Sequence, residues 1–246
     1  MTSAVWVFAG AVFLLAGFVK GIVGMGLPTV AMGLLALIVP PAVAAALLVI
    51  PSLVTNVWQL AAGPSFGKLA RRLWLMMAGV LLGTVAGIGV LAGDNAPLAG
   101  AALGVALALY AVIGLAGWRF VLPPRRERWL SPFVGAATGL VTGATGVFTI
   151  PAVPYLQAIG LEKDDLIQAL GLSFTVSTLA LALGLWRVDG WHAGSVWMSL
   201  LALVPALAGM QVGQWLRGRI SAATFRTVFF AGLLLLGLYL AAERIV

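Results

Sequence analysis

The sequence predicts an all-α, polytopic transmembrane protein. It is expected to consist of two inverted-topology repeats of about five segments each, with broken or short helices near the membrane midplane. Three observations carry that expectation. The chain of 246 residues is 62% hydrophobic and 9% charged, whereas soluble domains are roughly a quarter charged, so lipid is its main solvent. Charge-free apolar runs recur at lengths near the ~20 residues a helix needs to cross hydrocarbon. They are apolar all round rather than striped, which excludes a soluble helical bundle. Two glycine-rich breaks, "GFVKGIVGMGLPT" at 17–29 and "GLVTGATGVFTIP" at 139–151, then interrupt those runs at matching places.

The breaks belong to a longer internal correspondence. Laying residue n over n+122 matches Gly17 with Gly139, Val19 with Val141, Gly21 with Gly143 and Gly24 with Gly146. Ser52 falls on Ser173 at an offset of 121, and Gly83 and Gly87 fall on Gly209 and Gly213 at 126. Preserved order at a nearly constant offset is the mark of a repeat. The chain accordingly divides into a first repeat at 1–117, a basic cytoplasmic linker at 118–130 and a second repeat at 131–246.

Within the first repeat the apolar segments are 4–20, 25–39, 42–62, 73–93 and 96–117. No basic n-region or small-residue cleavage site accompanies the first, so it is expected to be retained. The second reaches only about 22 Å as a helix, too short for a full span. In the second repeat the segments are 131–144, 146–160, 165–186, 192–216 and 222–242, and Pro151 and Pro154 shorten the second of these further. Short, Gly/Pro-interrupted segments at equivalent places in inverted halves point to a transporter's binding site.

Basic residues orient the segments. Lys68, Arg71 and Arg72 place the loop after the third segment in the cytoplasm, as do Arg119, Arg125, Arg126 and Arg128 for the linker and Arg217 with Arg219 near the end. Asp94 and the Arg187/Asp189 pair then lie outside, Lys20 inside and its counterpart Thr142 outside, and both termini are external. The same rule accounts for the net charge of +7, so no nucleic-acid partner is implied. Trp74, Trp118, Trp129, Trp186, Trp191 and Trp215 stand at segment ends as an aromatic belt.

Several function classes are excluded. There is no cysteine for disulfide, metal or redox chemistry. No Asp or Glu falls within a span, which leaves a proton relay or an acid-built cation site without support. The nucleophile and base set of an intramembrane enzyme is missing, His192 stands alone without a metal partner, and the "GxxGxG" at 21–26 follows no strand, so no cofactor is implied. Anion translocation fits these absences.

The breaks suit such a task. A helix N-terminus carries unpaired N–H donors and a partial positive charge. Two of them, at 24–29 and 146–151, are expected to converge on one anion, with Gly21, Gly24, Gly26, Gly143 and Gly146 admitting it to the backbone. Thr29, Thr142, Thr145 and Thr149 offer hydroxyl donors, and Pro28 and Pro151 suit a first helical turn. Gly83/Gly87 and Gly209/Gly213, inside uninterrupted segments, read as packing glycines. On the third segments Ser52, Thr55, Asn56 and Gln59 form a polar stripe, answered by Gln168, Ser173, Thr175, Ser177 and Thr178. Of these Ser52, Asn56, Gln59 and Ser173 complete the expected substrate-binding set. Lys20 admits two readings, a snorkelling end anchor or an anion attractant at the cytoplasmic mouth.

With those residues in view, the chain resembles the sulfite exporter TauE/SafE family, also called the TSUP family of membrane permeases. The resemblance covers essentially the whole chain. It rests on "GFVKGIVGMGLP", on "GLVTGATGVFTIPAVPYLQAIGL" after the basic linker and on "ALGLSF" in the following segment. Many members carry Gly-Gly-Gly after the break, where this chain has Gly26-Leu27-Pro28 and Val147-Phe148-Thr149. The resemblance implies a multi-pass secondary transporter of the bacterial inner membrane exporting sulfite, sulfoacetate, thiosulfate or another small organosulfur anion. One half is expected to rock against the other during transport. A small anion and the lipid bilayer are its implied partners, and a homo-oligomer stays open. A passive anion channel and a non-transporting assembly subunit are the alternatives.

Overall fold

The structure, a computed structural model, describes residues 3–93, 96–117, 121–188 and 193–245. Asp94, Trp118, Arg119, Asp189, Trp191 and His192 fall outside these, so the readings made of them above lie outside the described residues. Among the described residues ten helices follow in order: α1 (Ser3–Val23), α2 (Leu27–Leu35), α3 (Pro41–Ala61), α4 (Phe66–Ala92), α5 (Ala96–Ala116), α6 (Pro124–Thr145), α7 (Ala152–Ala158), α8 (Lys163–Arg187), α9 (Ala193–Leu216) and α10 (Ala222–Ile245). No strand occurs among the described residues.

Seven of the helices, α1, α3, α4, α5, α8, α9 and α10, are long and apolar enough to cross a membrane. α6 falls outside this group because Arg125, Arg126, Glu127 and Arg128 fill its first turns and glycine and threonine dilute the rest. The basic stretch is thus only partly linker, since helix begins at Pro124. α2 and α7, with nine and seven residues, rise about 14 Å and 10 Å. Neither reaches across ~30 Å of hydrocarbon.

Each break ends one helix before opening the next. Gly24 and Gly146 adopt left-handed conformations, φ 78° and 72°, and their N–H groups bond the carbonyls of Lys20 and Thr142 at 2.7 and 2.8 Å. This is the glycine cap of a helix C-terminus, reached without the penalty a Cβ brings. Gly26, φ 102°, then precedes α2, whose first turn holds Pro28 where no helical N–H is lost.

The halves of the sequence interlock. The most extensive pairings are α4 with α6, α1 with α9, α5 with α10 and α3 with α8, each taking one helix from each half. Exchanging the halves, α1 for α6 through α5 for α10, leaves this set of pairs unchanged. The α1–α9 and α4–α6 seams are reciprocal. A Cβ at Gly17 or Gly21 would strike the carbonyls of Ala206 or Met210, and one at Gly209 or Gly213 those of Leu14 or Phe18. Gly139 and Gly143 meet Val80 and Thr84 carbonyls in the same way, while Gly83 and Gly87 meet those of Ala136 and Leu140. Backbones approach this closely only where both sides lack side chains. Both seams join a helix of one half to a helix of the other.

α3 and α8 are the most enclosed of the spans and α10 the least. Phe148 and Phe174, both buried, pack with ring centroids 5.3 Å apart and planes tilted by 54° where the second break meets α8. Large apolar side chains such as Leu82, Val204 and Leu235 face outward, the surface lipid requires. At one end Lys68 pairs with Asp165 at 2.9 Å and Arg72 with Glu127 at 2.7 Å. A further Arg72 nitrogen donates to the Ile159 carbonyl at 2.9 Å, tying α4, the start of α6 and the α7–α8 turn into one face.

Candidate functional site

The central pair α3 and α8 carries the polar interior. Asn56 on α3 and Thr178 on α8 meet where the two helices cross, Asn56 Nδ2 donating to Thr178 Oγ1 at 3.2 Å. The other end of the amide, Oδ1, accepts a hydrogen bond from Lys20 Nζ in the last turn of α1. Lys20 is only 4% exposed, so it does not snorkel. It turns inward beneath the first break, from the last turn of α1 toward α3. No salt bridge among the described residues includes it. An ammonium held in a protein interior by a neutral amide keeps an uncancelled charge.

The same buried interior holds hydroxyls without partners. Thr29 Oγ1, Ser52 Oγ, Thr149 Oγ1, Ser173 Oγ and Ser177 Oγ are buried and form no hydrogen bond, as is Gln59 Oε1. Buried polar atoms normally find a partner, and each exception calls for a reason. They fall in matched places. Ser52 sits one turn before Asn56 on α3, and Ser173 and Ser177 share a face of α8 next to Thr178. Thr29 lies in the first turn of α2, and Thr149 in the second break just ahead of α7. The second break packs against α2, because a Cβ on Gly146 would lie 2.9 Å from Met32 Sδ.

The structure redistributes the residues expected from sequence. Lys20, Thr29, Ser52, Asn56, Gln59, Thr149 and Ser173 are buried polar groups of this interior. Gln59 spends its Nε2 on the Ile167 carbonyl at 2.9 Å and keeps Oε1 free. Thr142 and Thr145 are buried but already donate to the carbonyls of Thr138 and Val141, both at 2.7 Å, so their protons are spoken for. Gly21 and Gly143 lie in the helix seams, where packing gives them their reason. Gly24 and Gly146 do not open helices as paired N-termini. They close α1 and α6, and the following helices start at Leu27 and Ala152. Gly26 stays at the N-terminus of α2, with Val19 Cγ1 3.0 Å from where a Cβ would stand.

Thr178 is named from sequence only as part of a polar stripe, outside the expected binding set, and Ser199 is not named at all. Thr178 stands 122 residues from Asn56, the repeat offset itself, which was the available signal. Ser199 on α9 donates to the Leu47 carbonyl at 2.7 Å and accepts from Ile50 N at 3.0 Å. Pro51 inside α3 has no N–H for that carbonyl, and in lipid the freed group needs another donor. Pro51 therefore hinted that a neighbouring helix would carry a hydroxyl here.

A buried cation held by an amide, in an interior that also holds free hydroxyl donors and no buried carboxylate among the described residues, can solvate a small anion. No curated protein and no solved structure is significantly similar to the chain. The family model described as sulfite exporter TauE/SafE matches residues 9–240, nearly the full length, and agrees with the polytopic fold and with the sequence resemblance. The chain belongs to the sulfite exporter TauE/SafE family and is a multi-pass membrane protein of that transporter family.

Proposed function

We propose that the protein is a secondary transporter that exports a small sulfur-containing anion, sulfite or an organosulfonate, across the bacterial inner membrane. One observation carries this reading: Lys20, buried and without an acidic partner among the described residues, lies in a network with Asn56 and Thr178, whose helices α3 and α8 also hold the free hydroxyls of Ser52, Ser173 and Ser177. The family supports transport of an anion. The two halves act as inverted repeats, and the face bearing Lys68, Arg71 and Arg72 is cytoplasmic by the positive-inside rule. The anion binds between α1, α3 and α8, with the first turn of α2 and the second break closing over it. Because α1–α9 and α4–α6 are sealed by glycine seams, those pairs move as units and the short helices α2 and α7 act as gates.

Counterflow in proteoliposomes tests the reading. Internal sulfite or methanesulfonate should accelerate uptake of the labelled anion from outside. Flux without trans-acceleration identifies a passive channel, and no flux for any sulfur anion removes transport of this class.

A further inference from the structure

Resting on the anion-site reading above, we infer that the site selects by charge: it accepts monoanions and rejects dianions, with Lys20 as the residue that sets the valence. The charge inventory carries this. Among the described residues Lys20 is the only lysine, arginine, aspartate or glutamate that is buried, whereas Thr29, Ser52, Asn56, Gln59, Thr149, Ser173 and Ser177 are neutral. The acids with solved partners lie elsewhere, Asp165 with Lys68 and Glu127 with Arg72. The interior therefore holds one positive charge and a set of hydroxyl and amide dipoles.

The repeat sharpens the point. Internal correspondence sets Thr142 opposite Lys20, so the fold has a place for a second base and does not use it. Thr142 instead donates to its own helix at the Thr138 carbonyl. A site with two lysines would match a dianion, and this one has half that charge.

The consequence follows from electrostatics in a medium of low dielectric. A monoanion beside Lys20 gives a neutral complex, and the hydroxyls then bond its remaining oxygens. A dianion leaves one negative charge without a partner in a place where unpaired charge is expensive. A neutral molecule leaves Lys20 itself unpaired. A sulfonate or hydrogensulfite, with a single charge over three oxygens, fits the donor set. Sulfate and a carboxylated sulfonate such as sulfoacetate carry one charge too many.

Fixed-charge ligands make the test clean, because sulfite exchanges protons near neutral pH. The purified protein is melted with methanesulfonate and isethionate, both monoanions, and with methanedisulfonate and sulfate, at equal ionic strength. Ligands that bind the native state raise the melting temperature by mass action. The monoanions are expected to stabilise and the dianions to bind at least about tenfold more weakly. Lys20→Met should remove the methanesulfonate shift while leaving a folded, monodisperse protein, since it replaces a buried charge with an apolar chain of similar length. Lys20→Arg should keep the preference for one charge. Dianions binding as tightly as monoanions, or a Lys20→Met protein that still binds methanesulfonate, overturns the inference while leaving an anion transporter in place. No shift with any anion of either valence overturns the anion-site reading as well.

Discussion

Asn56 Nδ2 and Thr178 Oγ1 lie 3.2 Å apart across 122 residues of chain, and the same amide accepts a hydrogen bond from Lys20. One side chain thereby joins α1, α3 and α8 at the most enclosed part of the molecule. The amide is an apt partner for a cation that must remain available. It satisfies an ammonium proton without neutralising the charge, as a carboxylate would.

That distinction yields the first prediction. Asn56→Ala should lower stability by about 1–3 kcal/mol, because it strands both Lys20 and Thr178. Asn56→Asp should instead raise the melting temperature and abolish the shift caused by methanesulfonate, since the new carboxylate occupies Lys20. Melting curves with and without ligand separate the two variants. Unchanged anion affinity in Asn56→Asp would mean that Lys20 is not the charge partner.

The caps offer a second. Gly24 and Gly146 share a left-handed backbone, but a Cβ at Gly24 meets nothing within 4 Å, whereas one at Gly146 meets Met32. Gly24→Ala should cost about 1–2 kcal/mol from backbone strain alone. Gly146→Ala should cost more, and Met32→Ala should recover part of the excess but none of the backbone share. Thermal denaturation of the two single variants and the double variant checks the order.

The seams supply a third. Gly21→Leu and Gly143→Leu should prevent assembly, because each drives a side chain into the backbone of the neighbouring helix. Gly10 meets nothing within 4 Å, so Gly10→Ala should be neutral or stabilise by up to about 1 kcal/mol. Monodispersity on gel filtration and the melting temperature report the contrast. A well-folded Gly21→Leu protein would show that α1 and α9 do not touch as described.

The fourth concerns Pro51 and Ser199. Ser199→Ala should cost about 1–3 kcal/mol by leaving the Leu47 carbonyl without a donor. With Pro51→Ala, the restored helical N–H should take over that carbonyl, and Ser199→Ala should then cost less. A double-mutant cycle is expected to give a coupling of about 1 kcal/mol, and additive effects would refute the compensation.

Much of this architecture is written in local patterns. Five apolar segments per half follow from runs whose length and all-round hydrophobicity are properties of the segments themselves. The shortness of α2 and α7 was legible at Gly24, Pro28, Gly146 and Pro151, because proline and glycine limit the backbone wherever they stand. The shared glycine breaks also led to the family.

What only the tertiary structure decided depends on which helix lies next to which. Whether Lys20 runs outward to the interface or inward to Asn56 is set by α3 and α8, neither adjacent to it in sequence. Gly21 and Gly143 look like anion-contacting glycines until the backbones of α9 and α4 arrive to fill the space. Thr142 and Ser173 are both hydroxyl residues in the matched regions, yet one donates to its own helix and the other is left free. Local patterns determine where helices begin and end, since that balance involves only neighbours along the chain. The choice of which buried polar atom stays available is made by contacts between distant segments, and those come into existence only when the helices pack.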